Sequence, residues 1–142
     1  VAMGAAGAWT GSVWLTTEEA ETAPHTKQKM LTASSRDTVR SAGRTGKPSR
    51  QLRSDWTDAW APNPGGRKPL PLPLQAMVAE PALRRIDKLA QNGHEGAQAL
   101  STYFVGQGVG LMNKIKPARE VVLEFIEDYV AAAERLVRTL ED

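Results

Sequence analysis

The most regular pattern of apolar and polar positions lies near the end of the chain. Val122, Phe125, Ile126, Tyr129, Ala133, Leu136, Val137 and Leu140 recur at steps of three and four, which places them on one helix face. Pro117 fits the first turn of that helix, where its missing N–H removes no intrahelical bond. Glu134 and Arg138, four apart, add a favourable pair. A second helix is expected over 24–33, opened by Pro24. Two more are expected over 74–80 and 81–91, the latter started by Pro81 and stopped by Asn92 and Gly93. Residues 53–60 fit a short helix that sets Trp56 and Trp60 on one side.

The remaining segments lack that period. Residues 36–50 carry β-branched side chains around Gly43 and Gly46, so extended chain and turns are expected. The stretch 61–74 holds five Pro and two Gly and reads as an irregular loop or polyproline segment. At the other end, 2–7 reads as the tail of a helix with a glycine stop. Residues 8–10 read as a short buried strand, broken by Gly11 and Ser12. Thr16 or Thr17 is placed to cap a helix with Glu18 and Glu19 in its first turn.

These elements do not close on themselves. A single strand cannot make a sheet. The helices carry apolar stripes with too little partner surface, and 1–15 has the character of a sheet core. The chain is therefore expected to be mostly helical with one short strand and to expose an apolar patch over 1–15. It reads as an irregular helical bundle or as one piece of a β/α barrel. On the barrel reading, residues 1–35 would supply one strand and the helix after it. Residues 36–142 would form a helical C-terminal extension with the Pro-rich loop near 61–74.

Composition narrows the chemistry. The chain has 142 residues, 41% hydrophobic and 24% charged, the balance of a globular protein. It has no Cys, which excludes disulfides and thiolate metal sites. His25 and His94 are too few and too far apart to suggest zinc. The apolar opening lacks a basic segment before Lys27, so it is not read as a signal peptide, and it is too short for a membrane span. The cytosol is the expected compartment, and no membrane partner is expected. The net charge of +2 conceals a split. Segment 36–53 holds Arg36, Arg40, Arg44, Lys47, Arg50 and Arg53 against Asp37 alone, while 118–142 is acidic. The basic stretch has little aromatic interleaving and is read as a solvated surface rather than a nucleic-acid contact. An anionic substrate tail, such as a coenzyme A thioester, is a middle reading. A helical binding module that uses this stretch is the non-enzymatic alternative. The oligomeric state is not set by the sequence.

The strand-to-turn segment GAAGAWTGSVWLTTEE, 4–19, carries the candidate chemistry. Glycine at 11 permits close backbone approach, and Ser12 adds a hydroxyl suited to an anion. The last strands of a β/α barrel hold phosphate in this way. A plain strand-to-loop turn fits the same letters.

The segment also resembles the final barrel strand of the nitronate monooxygenases, which reads like GADAVxxGTRFLxTxE. Later family signposts follow in order: KQKMLTA, RDTVRSAGRTGKPSRQLRSDW, PLPLPLQ and YFVGQGVGLMN. The resemblance covers nearly the whole chain. It implies FMN as cofactor, with Gly11 and Ser12 at the FMN phosphate and Ser replacing the family's Thr. Val13 and Trp14 replace the usual Arg-Phe, so the charged side chain found there in the family is absent. The GQG motif, 106–108, resembles a segment that returns to the barrel mouth near the flavin, which places Gln107 there. The family's catalytic His and its Gly-Gly-Ile phosphate loop have no counterpart here, so no catalytic residue is assigned. His25 matches no catalytic position and is read as a surface helix residue. The resemblance implies oxidation of a small nitronate by dioxygen to carbonyl compound and nitrite. A related flavin-dependent reductase of enoyl or CoA thioesters is the alternative. The isolated chain is expected to be inactive.

Overall fold

A computed structural model describes residues 4–62 and 67–141. Five α-helices are described: α1 (Pro24–Thr32), α2 (Asp55–Ala59), α3 (Leu74–Gln91), α4 (Glu95–Leu100) and α5 (Ala118–Glu141). Two strands, β1 (Thr38–Ser41) and β2 (Ser49–Leu52), form an antiparallel hairpin in which Thr38 faces Leu52 and Arg40 faces Arg50. Three 3-10 turns cover Ser12–Thr16, Ser35–Asp37 and Gln107–Leu111.

The hairpin organises the centre. Its loop turns at Gly46, whose φ of +83° suits glycine. A side chain there would meet the Leu70 carbonyl oxygen at 2.2 Å, so Gly46 also admits the Pro-rich segment against the turn. Residues 103–105 run along the far side of β2: Leu52 N–H donates to Tyr103 O and Val105 N–H to Arg50 O. Thr102 Oγ1 donates to Leu52 O at 2.6 Å. β2 is thus bonded on both edges, and its neighbourhood holds the core. Met30 of α1, Leu52 of β2, and Val105, Val109 and Met112 are buried together, with Val13, Leu15 and Tyr103 packed against them.

A second packing unit pairs α3 with α4, where Ala79, Leu83, Ala90 and Ala97 are buried. Gln75, 1% exposed, links it to the hairpin. Its Nε2 donates to Gly43 O at 2.8 Å, and its Oε1 accepts the Leu70 N–H at 3.0 Å. Arg44 adds an ion pair to Glu80 at 2.7 Å and stacks over the Phe104 ring at 4.6 Å.

The mostly helical composition, α1, α2, the extended character of 36–50 and the last helix follow the sequence pattern. Several expectations are corrected. Residues 8–10 form no strand, because no described strand lies beside them to take their hydrogen bonds, and Trp9 is fully exposed. Extended chain pairs instead at β1 and β2, where the Gly-containing turn lets one segment fold onto the other. Gly4–Gly7 are not helical, and the expected helix after Thr17 is replaced by the 3-10 turn Ser12–Thr16. Thr17 is instead extended, with its backbone bridged to Lys116 and its carbonyl accepting from the buried Lys27 Nζ at 2.5 Å. Residues 74–91 form one helix, not two. Pro81 lies on its exposed side, and the buried stripe Gln75, Ala79, Leu83, Ala90 runs past it in phase. The packing of that continuous stripe outweighs the one backbone bond that proline removes. α4 had no strong period to announce it; His94 caps it by accepting the Ala97 N–H through Nδ1. Residues 1–3 of the expected apolar opening and 63–66 of the Pro-rich loop lie outside the described residues.

Candidate functional site

Ser12 and the GQG segment, 94 residues apart, meet. Ser12 Oγ accepts the Gly106 N–H at 2.7 Å. An Oγ that accepts in this way keeps its own proton free to donate. Gly11 stands immediately before the 3-10 turn with φ −129°, and a Cβ built there meets no atom within 4 Å. The openness that the sequence suggested at Gly11 is present. The positive φ that would have demanded glycine is not.

Two joints hold the turn in place. Trp14 Nε1 donates to Thr10 O and Thr10 Oγ1, both at 3.2 Å, and its ring meets Phe125 of α5 edge-on at 6.0 Å. Downstream, Thr17 bridges Lys116, and the Glu19 carboxylate accepts the Ala118 N–H at 2.9 Å. That places an anion at the start of α5, where exposed N–H groups favour it. The Ala118 N–H, followed by Glu19's own N–H and the nearby Lys27, holds the Glu19 carboxyl below its usual range.

Between these joints lies a cavity of about 480 Å³. Gly11, Ser12, Gly106 and Gly108 form its rim, and Val13, Met112 and Phe125 contribute apolar wall. This size and mixture suit a small organic ligand or part of a larger one. Its lysines are already engaged: Lys114 pairs with Glu120 at 3.0 Å and Lys116 with Glu124. Gln107 begins the 3-10 turn Gln107–Leu111 and is exposed; its neighbours Gly106 and Gly108 line the cavity, but Gln107 does not. Gly11 and Ser12 are therefore brought together with the GQG segment through its glycines. Among the described residues no group of His, Asp and Glu is arranged for a metal ion.

His25 is not the surface residue the sequence suggested. It is partly buried, and Nε2 lies 3.0 Å from Ser101 Oγ and 3.1 Å from Thr26 Oγ1. Ser101, itself 1% exposed, donates to Asp87 Oδ1 at 3.1 Å. This polar chain joins α1 to α3 at the end of α4, on residues other than those lining the cavity. Burial holds the His25 imidazole below its ordinary pKa, with Asp87 opposing and Lys29 reinforcing the shift. The basic stretch is largely exposed, as expected, at Arg36, Arg40, Lys47 and Arg53, while Arg44 and Arg50 are partly buried. Arg44 is spent on Glu80 and Phe104, and Arg53 on Asp58 at 3.1 Å. No sequence spacing signals these long-range pairings.

Comparison with known proteins gives a consistent result. The family model described as nitronate monooxygenase matches residues 1–128. The Mycobacterium tuberculosis protein "Putative monooxygenase Rv1533" is 52% identical over 131 residues, which is 92% of this chain and 34% of that protein. Two Thermotoga maritima structures share the fold. The FabK M276A mutant superposes with a TM-score of 0.62 at 26% identity, over 95% of this chain and 37% of that one. FabK itself gives 0.56 at 24% identity, over 87% and 36%. The chain spans about a third of the length of each of these proteins.

Proposed function

The chain belongs to the nitronate monooxygenase family, and from that premise we propose that it is the C-terminal part of an FMN-dependent nitronate monooxygenase. The observation that carries this reading is the junction of Ser12 with Gly106 at the rim of the cavity. Open backbone at Gly11 and a hydroxyl with a free proton at Ser12 suit a flavin phosphate at the turn, and the apolar cavity walls suit the ring edge. FMN, when bound, supplies the electron transfer by which dioxygen oxidises an alkyl nitronate to carbonyl compound and nitrite.

The chain's own residues have simpler tasks in this reading. Gly11 lets the ligand approach the main chain, since no side chain stands between them. Ser12 donates a hydrogen bond to an anionic oxygen and is itself oriented by Gly106. Gln107 is kept as a residue near the flavin, since its neighbours Gly106 and Gly108 line the cavity. Val13, Met112 and Phe125 exclude water from the ring side of the cavity. Nothing among these groups abstracts a proton, so the catalytic base belongs to other parts of the enzyme. The partners are a small molecule and FMN, in a cytoplasmic enzyme.

The likeness to FabK favours a second reading, a flavin-dependent reductase acting on enoyl or CoA thioesters. Purification of a polypeptide that joins this chain to the barrel region of its relatives decides between them. The first reading predicts copurified FMN and nitronate-dependent oxygen uptake. Turnover of an enoyl thioester without nitronate oxidation supports the second. Absence of flavin contradicts both.

A further inference from the structure

We propose that Arg50 supplies the positive charge for the phosphate end of the flavin at the Gly11–Ser12 turn; this rests on the flavin reading above. Two recesses meet at that turn. In the cavity already described, Lys114 and Lys116 are each paired with a carboxylate, and Glu124 and Asp128 also lie on the wall. A dianionic phosphate is less favoured there, because each lysine already has a carboxylate beside it and Asp128 adds negative charge. The second recess also touches Gly11, Ser12 and Gly106, and its wall adds Arg50, Tyr103 and Val105. Among the described residues no carboxylate lines it.

Arg50 is poised rather than spent. Among the basic residues of 36–53, Arg44 and Arg53 are held by Glu80 and Asp58, whereas Arg36, Arg40 and Lys47 are exposed. Arg50 is partly buried and makes no ion pair among the described residues. One guanidinium nitrogen donates to Thr38 Oγ1 at 2.9 Å, a neutral partner that fixes the group and leaves further N–H donors free. Its main chain accepts the Val105 N–H at 3.3 Å, which holds strand β2 next to Gly106. Arg50 also stands directly opposite Arg40 in the hairpin, an unfavourable placement of like charges that a bound anion relieves. The planar fork of an arginine suits phosphate oxygens, and Ser12 Oγ–H supplies a second donor beside it.

The test compares FMN with riboflavin, which lacks the phosphate, in the polypeptide that joins this chain to its barrel region. Arg50→Gln is expected to lower FMN affinity about tenfold while riboflavin affinity stays unchanged. Arg50→Lys should keep part of the preference for FMN, and Arg40→Gln should keep all of it. Unchanged riboflavin binding also shows that the Gln variant folds. If Arg50→Gln binds flavin with the same preference for FMN as the unsubstituted protein, the Arg50 assignment is overturned and the flavin reading stands. If the unsubstituted protein binds neither flavin, the flavin reading falls, and this inference with it. If Arg50→Gln loses riboflavin and FMN equally while Arg50→Lys restores both equally, Arg50 is structural and the proposal fails.

Discussion

Helices α3 and α5 look alike in sequence and differ in the structure. Both are long, and both carry apolar residues at steps of three and four. On α3 the stripe is covered: Ala79, Leu83 and Ala90 are almost inaccessible against α4 and its surroundings. On α5 only Val121 is buried, while Ile126, Tyr129, Val137 and Leu140 are each more than half exposed. Amphipathicity tells which face of a helix needs cover, but not what covers it. The α3 face is satisfied by elements close in sequence. The α5 face has little to cover it among the described residues.

The sharpest way to break this comparison is to truncate a stripe residue on each helix. Leu83→Ala should cost roughly 2–5 kcal/mol in urea unfolding, the range for a buried leucine. Leu136→Ala should stay within about 0.5 kcal/mol in the isolated chain. Equal costs would show that α5 is packed in solution and that the contrast is false.

Two smaller effects sharpen it on the α3 side. Gln75→Leu removes the bond that ties the start of α3 to the hairpin and a second one to the Pro-rich segment, leaving the Gly43 carbonyl and the Leu70 N–H without their side-chain partner. A cost of ~1–3 kcal/mol is expected from the unpaired groups, read as a lower denaturant midpoint at unchanged slope. The weakest effect concerns pH. Burial lowers the His25 pKa in the fold, so the unfolded chain binds its proton more readily. The His25 contribution is complete above the ordinary histidine pKa of about 6.5 and is lost as pH falls from there through the folded value. His25→Gln should flatten that slope between neutral and mildly acidic pH. An unchanged slope would remove His25 from the α1–α3 joint.

How far the sequence foretold these features depended on distance along the chain. α1, α2 and α5 are written in local period and caps, and the structure has them. The strand expected at 8–10 failed because a strand is a property of a pair, and no described neighbour pairs with it. Pro81 misled for a similar reason: a local helix breaker was overruled by a stripe that packs on both of its sides. At the site, the turn at Gly11 and Ser12 was legible, while its anion chemistry belongs to the proposal. Their meeting with Gly106 was not, because 94 residues intervene and no period connects them. The engagement of Arg44 and Arg53, and the lack of such a partner for Arg50 among the described residues, were likewise hidden in what looked like one uniform basic run.

The central claim is that the Gly11–Ser12 turn receives the flavin phosphate, and flavin content per polypeptide in Gly11→Val and His25→Ala tests it most directly. Gly11 has a negative φ, and among the described residues a Cβ there meets no atom within 4 Å. A loss of flavin with unchanged circular dichroism therefore reports on the ligand. In the polypeptide that includes the barrel region, Gly11→Val should lose most of its FMN with its circular dichroism intact, while His25→Ala should retain it. Full retention in Gly11→Val, or a greater loss in His25→Ala, would contradict the account and move the phosphate site away from this turn.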